Sequence, residues 1–185
     1  MKIFYIIIIL TLGNMTLDAQ MDFDKEQIKK ITLKKTRDLG HYITTIGDKE
    51  VEREFRVEAV RSAVNLFMSD KNIVQVSSLN GPTREYTIRK YLNRLMVLKY
   101  AKVEITWYDI NIISDFKQGP DGDYYATVRI YQKFTGYDSE GKMVYTDVTT
   151  KDISVKLTRI KIPTDEGYED QIQVLLGDIK VVETK

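Results

Sequence analysis

The chain contains no cysteine, one histidine and three prolines in 185 residues. Without a thiol it can hold no disulfide, no cysteine-ligated zinc or iron–sulfur centre, and no cysteine nucleophile. A single imidazole also rules out a multi-histidine metal site. No charge of one sign predominates: 28 Lys and Arg face 27 Asp and Glu, a formal net charge of +1. Nucleic-acid binders carry a basic stripe or patch, so no nucleic-acid partner is expected. What is present is ordinary globular text, 43% hydrophobic and 30% charged, which is not the composition of a disordered chain. No metal and no cofactor is expected from these residues.

Long hydrophobic runs are scarce, and the longest lies at the start. Lys2 precedes an apolar stretch from Ile3 to Leu12, broken only by Thr11. As a helix such a run rises about 15 Å, against a bilayer core of ~30 Å. That length suits the apolar region of a secretory signal, with the small residue Ala19 at the cleavage point. The expectation is a signal peptide over residues 1–19 and a single domain over 20–185. An uncleaved anchor is the alternative. With no cysteine, a bacterial lipoprotein-type lipid attachment is excluded. The chain is read as exported and soluble, periplasmic or extracellular, without a stable membrane anchor after cleavage and held together by packing alone.

From Asp22 to Asp70 the text is helical, with apolar residues at Ile28, Ile31, Leu39, Tyr42, Ile43 and Ile46. Gly47-Asp48 interrupts it, Asp48 being suited to cap a second helix. That helix carries Val51, Phe55, Ala59, Ala63 and Phe67 at steps of four. A short strand at Ile73–Val76 precedes an expected loop over Ser77–Thr83, which contains Gly81-Pro82. A third helix is expected from Thr83 or Arg84, with Ile88, Tyr91, Leu92 and Leu95 along it. After Lys99 the period changes to two. Strands are expected over Tyr100–Phe116, from Tyr125 to Phe134, from Met143 to about Ile160, and from Gln171 to Val182. Turns fall at Asp121-Gly122 and at Asp138–Gly141, and a polar loop at Pro163–Asp170. Helices first and long strands last indicate an α+β fold. Strands this long must bend, so the expectation is three N-terminal helices packed on a strongly bent antiparallel sheet, a cone-like, cystatin-like roll.

Several segments carry a likeness. A helix ends in Leu66-Phe67, a third helix reads Tyr91-Leu-Asn-Arg-Leu95, a strand reads Gln132-Lys-Phe-Thr-Gly-Tyr137, and another reads Tyr145-Thr-Asp-Val-Thr-Thr-Lys151. Together they resemble the nuclear transport factor 2-like superfamily, and in particular small exported members from Bacteroidota-type bacteria. The last segment departs from the pattern in having two threonines before the lysine. The resemblance implies a cone-like fold used alike by enzymes, adaptors and binding modules, and an outer sheet face that often pairs two subunits.

Three strands switch from apolar to polar at one parity. Val103, Ile105 and Trp107 lead to Asp109; Ala126, Val128 and Ile130 lead to Gln132; Ile153, Val155 and Leu157 share parity with Tyr145 and Asp147. If no bulge intervenes, Trp107, Asp109, Gln132, Tyr145 and Asp147 line a pocket mouth able to take a small hydrophobic or mixed-polarity ligand. If one does, they face solvent. Ketosteroid isomerase shows what an Asp base with a Tyr and Asp oxyanion hole can do. His41, next to Gly40, has no partner nearby in sequence and reads as solvated or half-buried. The basic cluster Lys29, Lys30, Lys34, Lys35 and Arg37 reads as a solvated helix face. On the opposite sheet face Tyr125, Arg129 and Tyr131 form a candidate interface with a second copy or a protein partner. The reading drawn is an exported, non-catalytic binding or protein-interaction module. The alternatives are an isomerase or cyclase using a carboxylate and a tyrosine in the cone, and a structural subunit of an envelope assembly.

Overall fold

A computed structural model describes residues 25–79 and 81–185. The expected signal peptide and its cleavage point lie outside the described residues. No helix among the described residues is long and apolar enough to cross a membrane.

Helix α1 (Lys25–Gly47) buries Ile28, Thr32, Thr36, Leu39, Ile43 and Ile46, a stripe at three- and four-residue spacing. It ends at Gly47, and the carboxylate of Asp48 accepts the backbone N–H of Glu50 at 2.9 Å. This is a turn within the connection rather than a cap, because helix α2 starts later, at Arg53 (Arg53–Val64). The expected stripe of α2 is also shifted. Phe55 is 64% exposed, whereas Arg56, Ala59, Val60, Ala63 and Val64 are buried. Four-residue steps overrun the 3.6-residue turn by about 40° each, so a run of fours leaves the core face before it ends. Arg56 takes the inward place because its guanidinium has two carbonyls to serve. Its Nε donates to Ile46 O at 2.9 Å and its Nη2 to Met96 O at 2.8 Å.

Strands β1 (Ile73–Ser78) and β2 (Gly81–Thr87) form a hairpin in place of the expected loop and early helix. Pro82 sits near the start of the sheet's outermost strand, where a missing N–H is tolerated. Thr87 caps helix α3 (Ile88–Leu95), accepting Lys90 N–H on its hydroxyl at 3.4 Å.

The remaining strands are β3 (Lys102–Ile112), β4 (Lys117–Gln118), β5 (Tyr124–Tyr137), β6 (Met143–Thr164) and β7 (Gly167–Thr184). The order across the sheet is β2-β1-β7-β6-β5-β3, with β4 also on β5. One pairing, β1 with β7, is parallel, so the sheet is mixed and not wholly antiparallel. The expected polar loop over Pro163–Asp170 is instead paired strand: Pro163 faces Tyr168 and Thr164 faces Gly167. Asp165 and Glu166 alone make the turn, and Gly167 supplies a φ of 132°.

Fully extended, the 22 residues of β6 would reach about 70 Å. Register shifts relieve that length. They fall between Tyr108 and Asn111 on β3, between Gly136 and Tyr137 on β5, and at two points of the β6–β7 ladder. Each bulge bends its strand and adds twist. The concave face carries Val128, Ile130, Ile153, Val155, Leu157, Val174 and Leu176, which join the buried residues of all three helices in one cluster. The result is the α+β cone that the resemblance implies. Helices fill it except at one end.

Candidate functional site

At that end, a cavity of about 490 Å³ lies between α3, the β1–β2 hairpin, and strands β5 and β6. Strand β6 supplies its wall at alternate positions: Tyr145, Asp147, Thr149 and Lys151. The parity carries on without a break into buried Ile153, Val155 and Leu157. Beside it, β5 contributes Gln132 and Phe134, continuing from buried Val128 and Ile130. Tyr145 is partly exposed, whereas Lys151 is only 3% exposed. The lining therefore runs from mouth to floor, over about 20 Å of strand.

Near the mouth is a coupled pair. The Tyr145 hydroxyl donates to Asp147 Oδ2 at 2.6 Å. Burial pushes the Asp147 carboxyl above its ordinary value, opposed by the Tyr145 hydrogen bond and by the charge of Lys151. Burial also pushes the Tyr145 hydroxyl up to about 12, helped by its hydrogen bond to Asp147. So Tyr145 stays protonated at neutral pH and works as a donor, while Asp147 is a carboxylate of raised basicity. Aromatic rings fix the pair in place. Phe134 meets Tyr145 edge-on at 5.8 Å between centroids, and Tyr100 stacks on Tyr145 at 6.3 Å. Gly136 makes room for Tyr100: a Cβ there would fall 2.6 Å from the ring.

The floor is different. Lys151 Nζ donates to Gln132 Oε1 at 3.4 Å and lies 5.9 Å from the centre of the Tyr91 ring. Burial pulls this amine down to about 8, against the opposing charge of Asp147. Burial likewise raises the Tyr91 hydroxyl.

Of the five binding residues read from the sequence, Gln132, Tyr145 and Asp147 line this cavity. Trp107 and Asp109 do not. Trp107 faces inward but is covered by α1; a Cβ added at Gly40 would sit 3.2 Å from its ring. Its indole N–H is buried and has no hydrogen-bond partner in the structure. Asp109 is the first residue of the β3 bulge, with a φ of 48°, and with Ile110 it faces the single residue Ile130. The bulge turns Asp109 to solvent and gives the inward places beyond it to Ile110 and Ile112. Lys151 and Tyr91 were quoted in the sequence as marks of the fold, yet both line the cavity. The signal for Lys151 was available: a charge at an inward position, next in parity to Ile153.

His41 is exposed on α1, and Lys34 pairs with Asp38 at 2.9 Å. Among the described residues, no group of three or more His, Cys, Asp or Glu side chains is placed to hold a metal ion. On the outer sheet face, Arg129 pairs with both carboxylate oxygens of Asp152 at 2.7 and 2.8 Å. There Tyr131 stacks on Tyr108 at 5.9 Å, and Tyr125 donates to Asp121 at 2.6 Å.

No protein-family model matches the chain, and no curated protein matches it in sequence. Among solved structures, it is similar to a "Putative Scytalone Dehydratase" from Novosphingobium aromaticivorans, at 10% identity and a TM-score of 0.43. That match covers 86% of this chain and 88% of the other. It is also similar to an epoxide hydrolase/cyclase-like enzyme described in pyran ring formation in the polyether salinomycin. There the identity is 20% and the TM-score 0.29, over 80% of this chain and 96% of the other. Both are named as enzymes, the reverse of the non-catalytic binding or protein-interaction module expected from the sequence. The case for catalysis is then made from this chain's own cavity, where a carboxylate of raised basicity and a protonated tyrosine meet at 2.6 Å.

Proposed function

We propose that the chain is an acid–base enzyme of the isomerase or cyclase type, acting without a bound metal on a small organic molecule in the cone cavity. The observation that carries this is the Tyr145–Asp147 pair, joined at 2.6 Å in the wall of a 490 Å³ cavity. Asp147 is the general base. It takes a proton from a carbon beside a carbonyl group, and the C–H electron pair moves onto the carbonyl oxygen as an enolate. In a β,γ-unsaturated carbonyl compound the enolate is a dienolate. Isomerisation follows when Asp147 returns the proton to the γ-carbon as the double bond moves into conjugation with the carbonyl. The Tyr145 hydroxyl holds Asp147 in one orientation, and once Asp147 is protonated it is free to donate to the substrate oxygen. A base in this role contributes about 10²- to 10⁴-fold.

The test is proton exchange in D₂O, followed by NMR, on a panel of small ketones, β-hydroxyketones and keto acids. The native chain should speed exchange at the carbon beside the carbonyl. Asp147→Asn should remove the acceleration, and Tyr145→Phe should reduce it less, because the carboxylate remains. Exchange no faster than in buffer across the panel would sink the reading, as would an active Asp147→Asn.

Export is part of the same proposal and rests on the Lys2–Ala19 text. Mass spectrometry of material recovered outside the cytoplasm should find Gln20 as the first residue.

A further inference from the structure

The charges lining the cavity are unbalanced in a chain that is otherwise balanced. Arg84, Arg94, Lys99 and Lys151 face it, and Asp147 is the one carboxylate among its lining residues. Overall the chain is only one charge from neutral. Arg94 lies over the Tyr86 ring at 4.7 Å and Lys99 over Tyr100 at 6.0 Å. Both aromatic platforms leave the cationic heads at the mouth. Such a ring of one sign raises the local concentration of anions and speeds their entry.

Lys151, at the floor, is the decisive residue. An ammonium has three N–H donors and no acceptor, yet among the described residues its one hydrogen-bond acceptor is Gln132 Oε1, at the long distance of 3.4 Å. Asp147 is four residues away on the same strand, about 13 Å between backbones, and is engaged by Tyr145. Among the described residues, no carboxylate lies within ion-pairing distance of Lys151. Asp147 acts on Lys151 through its charge but not through an ion-pair contact. A buried cation without such a contact is costly, and this one faces the cavity with donors to spare.

We propose that the cavity takes a small organic carboxylate, whose carboxylate group seats on Lys151 while its body lies along Phe134, Leu95 and Leu98 beneath Asp147. This rests on the reading of the cavity as the substrate site, and adds that the substrate is an acid. Gln132, through its N–H₂, offers the second oxygen a donor. The mouth cations steer the anion in, and Lys151 holds it.

The experiment is calorimetric titration and thermal shift on the full chain with acetate, benzoate and phenylpyruvate, each against its amide, and with benzylamine as the cation. At least one carboxylate should bind at least tenfold tighter than its amide, and benzylamine should not bind. Lys151→Met should cost that carboxylate at least tenfold in affinity, with an unchanged circular dichroism spectrum. Lys151→Arg should retain part of the binding. Asp147→Asn should bind the carboxylate as well as native protein or better, so loss of catalysis and loss of the acid seat are separately visible. Amides binding as tightly as acids, no carboxylate binding at all, or a folded Lys151→Met with native affinity would each overturn the proposal.

Discussion

At the residue scale, the cavity wall carries two groups, Asp147 and Lys151, whose charged forms burial disfavours. Lys151 is held at about 8 against an ordinary value of 10.5, a displacement that corresponds to about 3 kcal/mol. The sign follows from linkage. Below about pH 8 the amine is protonated in both folded and unfolded chains, and folding bears the full cost of burying the charge. Between about 8 and 10.5 the folded chain has lost the proton and the unfolded chain has not, so stability rises with pH. Lys151→Met should therefore be more stable than native protein at pH 7, by about 1–3 kcal/mol. That advantage should shrink as pH rises from about 8 towards 10.5, read by urea unfolding of the two chains side by side. Asp147 has the opposite charge and a raised value, so its ionised form is the disfavoured one in the fold. Its cost is absent in acid and appears as pH rises above the ordinary carboxyl value. Asp147→Asn should accordingly gain stability at neutral pH while losing activity, a trade found where sites are strained for function. Asp147, Tyr145 and Gln132 were legible in the sequence because the period-two pattern survives along β5 and β6. Asp109 was not, since one extra residue in β3 reverses every side chain beyond it.

At the scale of elements, the helices show how a pattern of the right period can still choose the wrong face. Steps of four put Phe55 in the core, yet the helix buries Arg56. No apolar residue could take that place equally well, because two helix ends converge on it. Ile46 lies in the last turn of α1 and Met96 just past α3, and both present carbonyls that their own helices leave free. Arg56 donates to both. Arg56→Ala should cost about 2–4 kcal/mol, since hydrogen bonds from a charged donor and two buried acceptors are lost together. Phe55→Ala should cost less than about 0.5 kcal/mol, as expected for an exposed position. Urea midpoints of the two variants decide it; equal costs would place Phe55 in the core after all. The β1–β2 hairpin was misread for a related reason. Gly81-Pro82 marks a turn in sequence, but a loop and a hairpin use the same residue types. The polar run Asp165-Glu166 likewise hid a two-residue turn inside a long ribbon.

At the scale of the whole molecule, one cluster of buried side chains joins α1, α2, α3 and the concave sheet face. With no cysteine to staple any part, the helices and sheet have little stability apart from one another, and the chain from residue 20 onward should unfold as one domain. Trp107 offers a direct check, being the sole tryptophan and lying where Gly40 of α1 meets β3. Its fluorescence reports helix–sheet docking, whereas far-ultraviolet circular dichroism reports the helices themselves. The two urea transitions should coincide, with a slope of about 1–3 kcal/mol per molar urea. A tryptophan signal that changes first would mean the helices come off the sheet before they melt. The same titration addresses the outer sheet face, where Tyr125, Arg129 and Tyr131 are the proposed contact with a second copy. A dimer that dissociates on unfolding has a midpoint that rises with protein concentration. If this face pairs two chains, the midpoint should climb across a hundredfold concentration range, and Tyr131→Lys should abolish the climb without moving the low-concentration value. A midpoint independent of concentration would assign the face to a lone molecule, its tyrosines and the Arg129–Asp152 pair satisfying one another within the sheet.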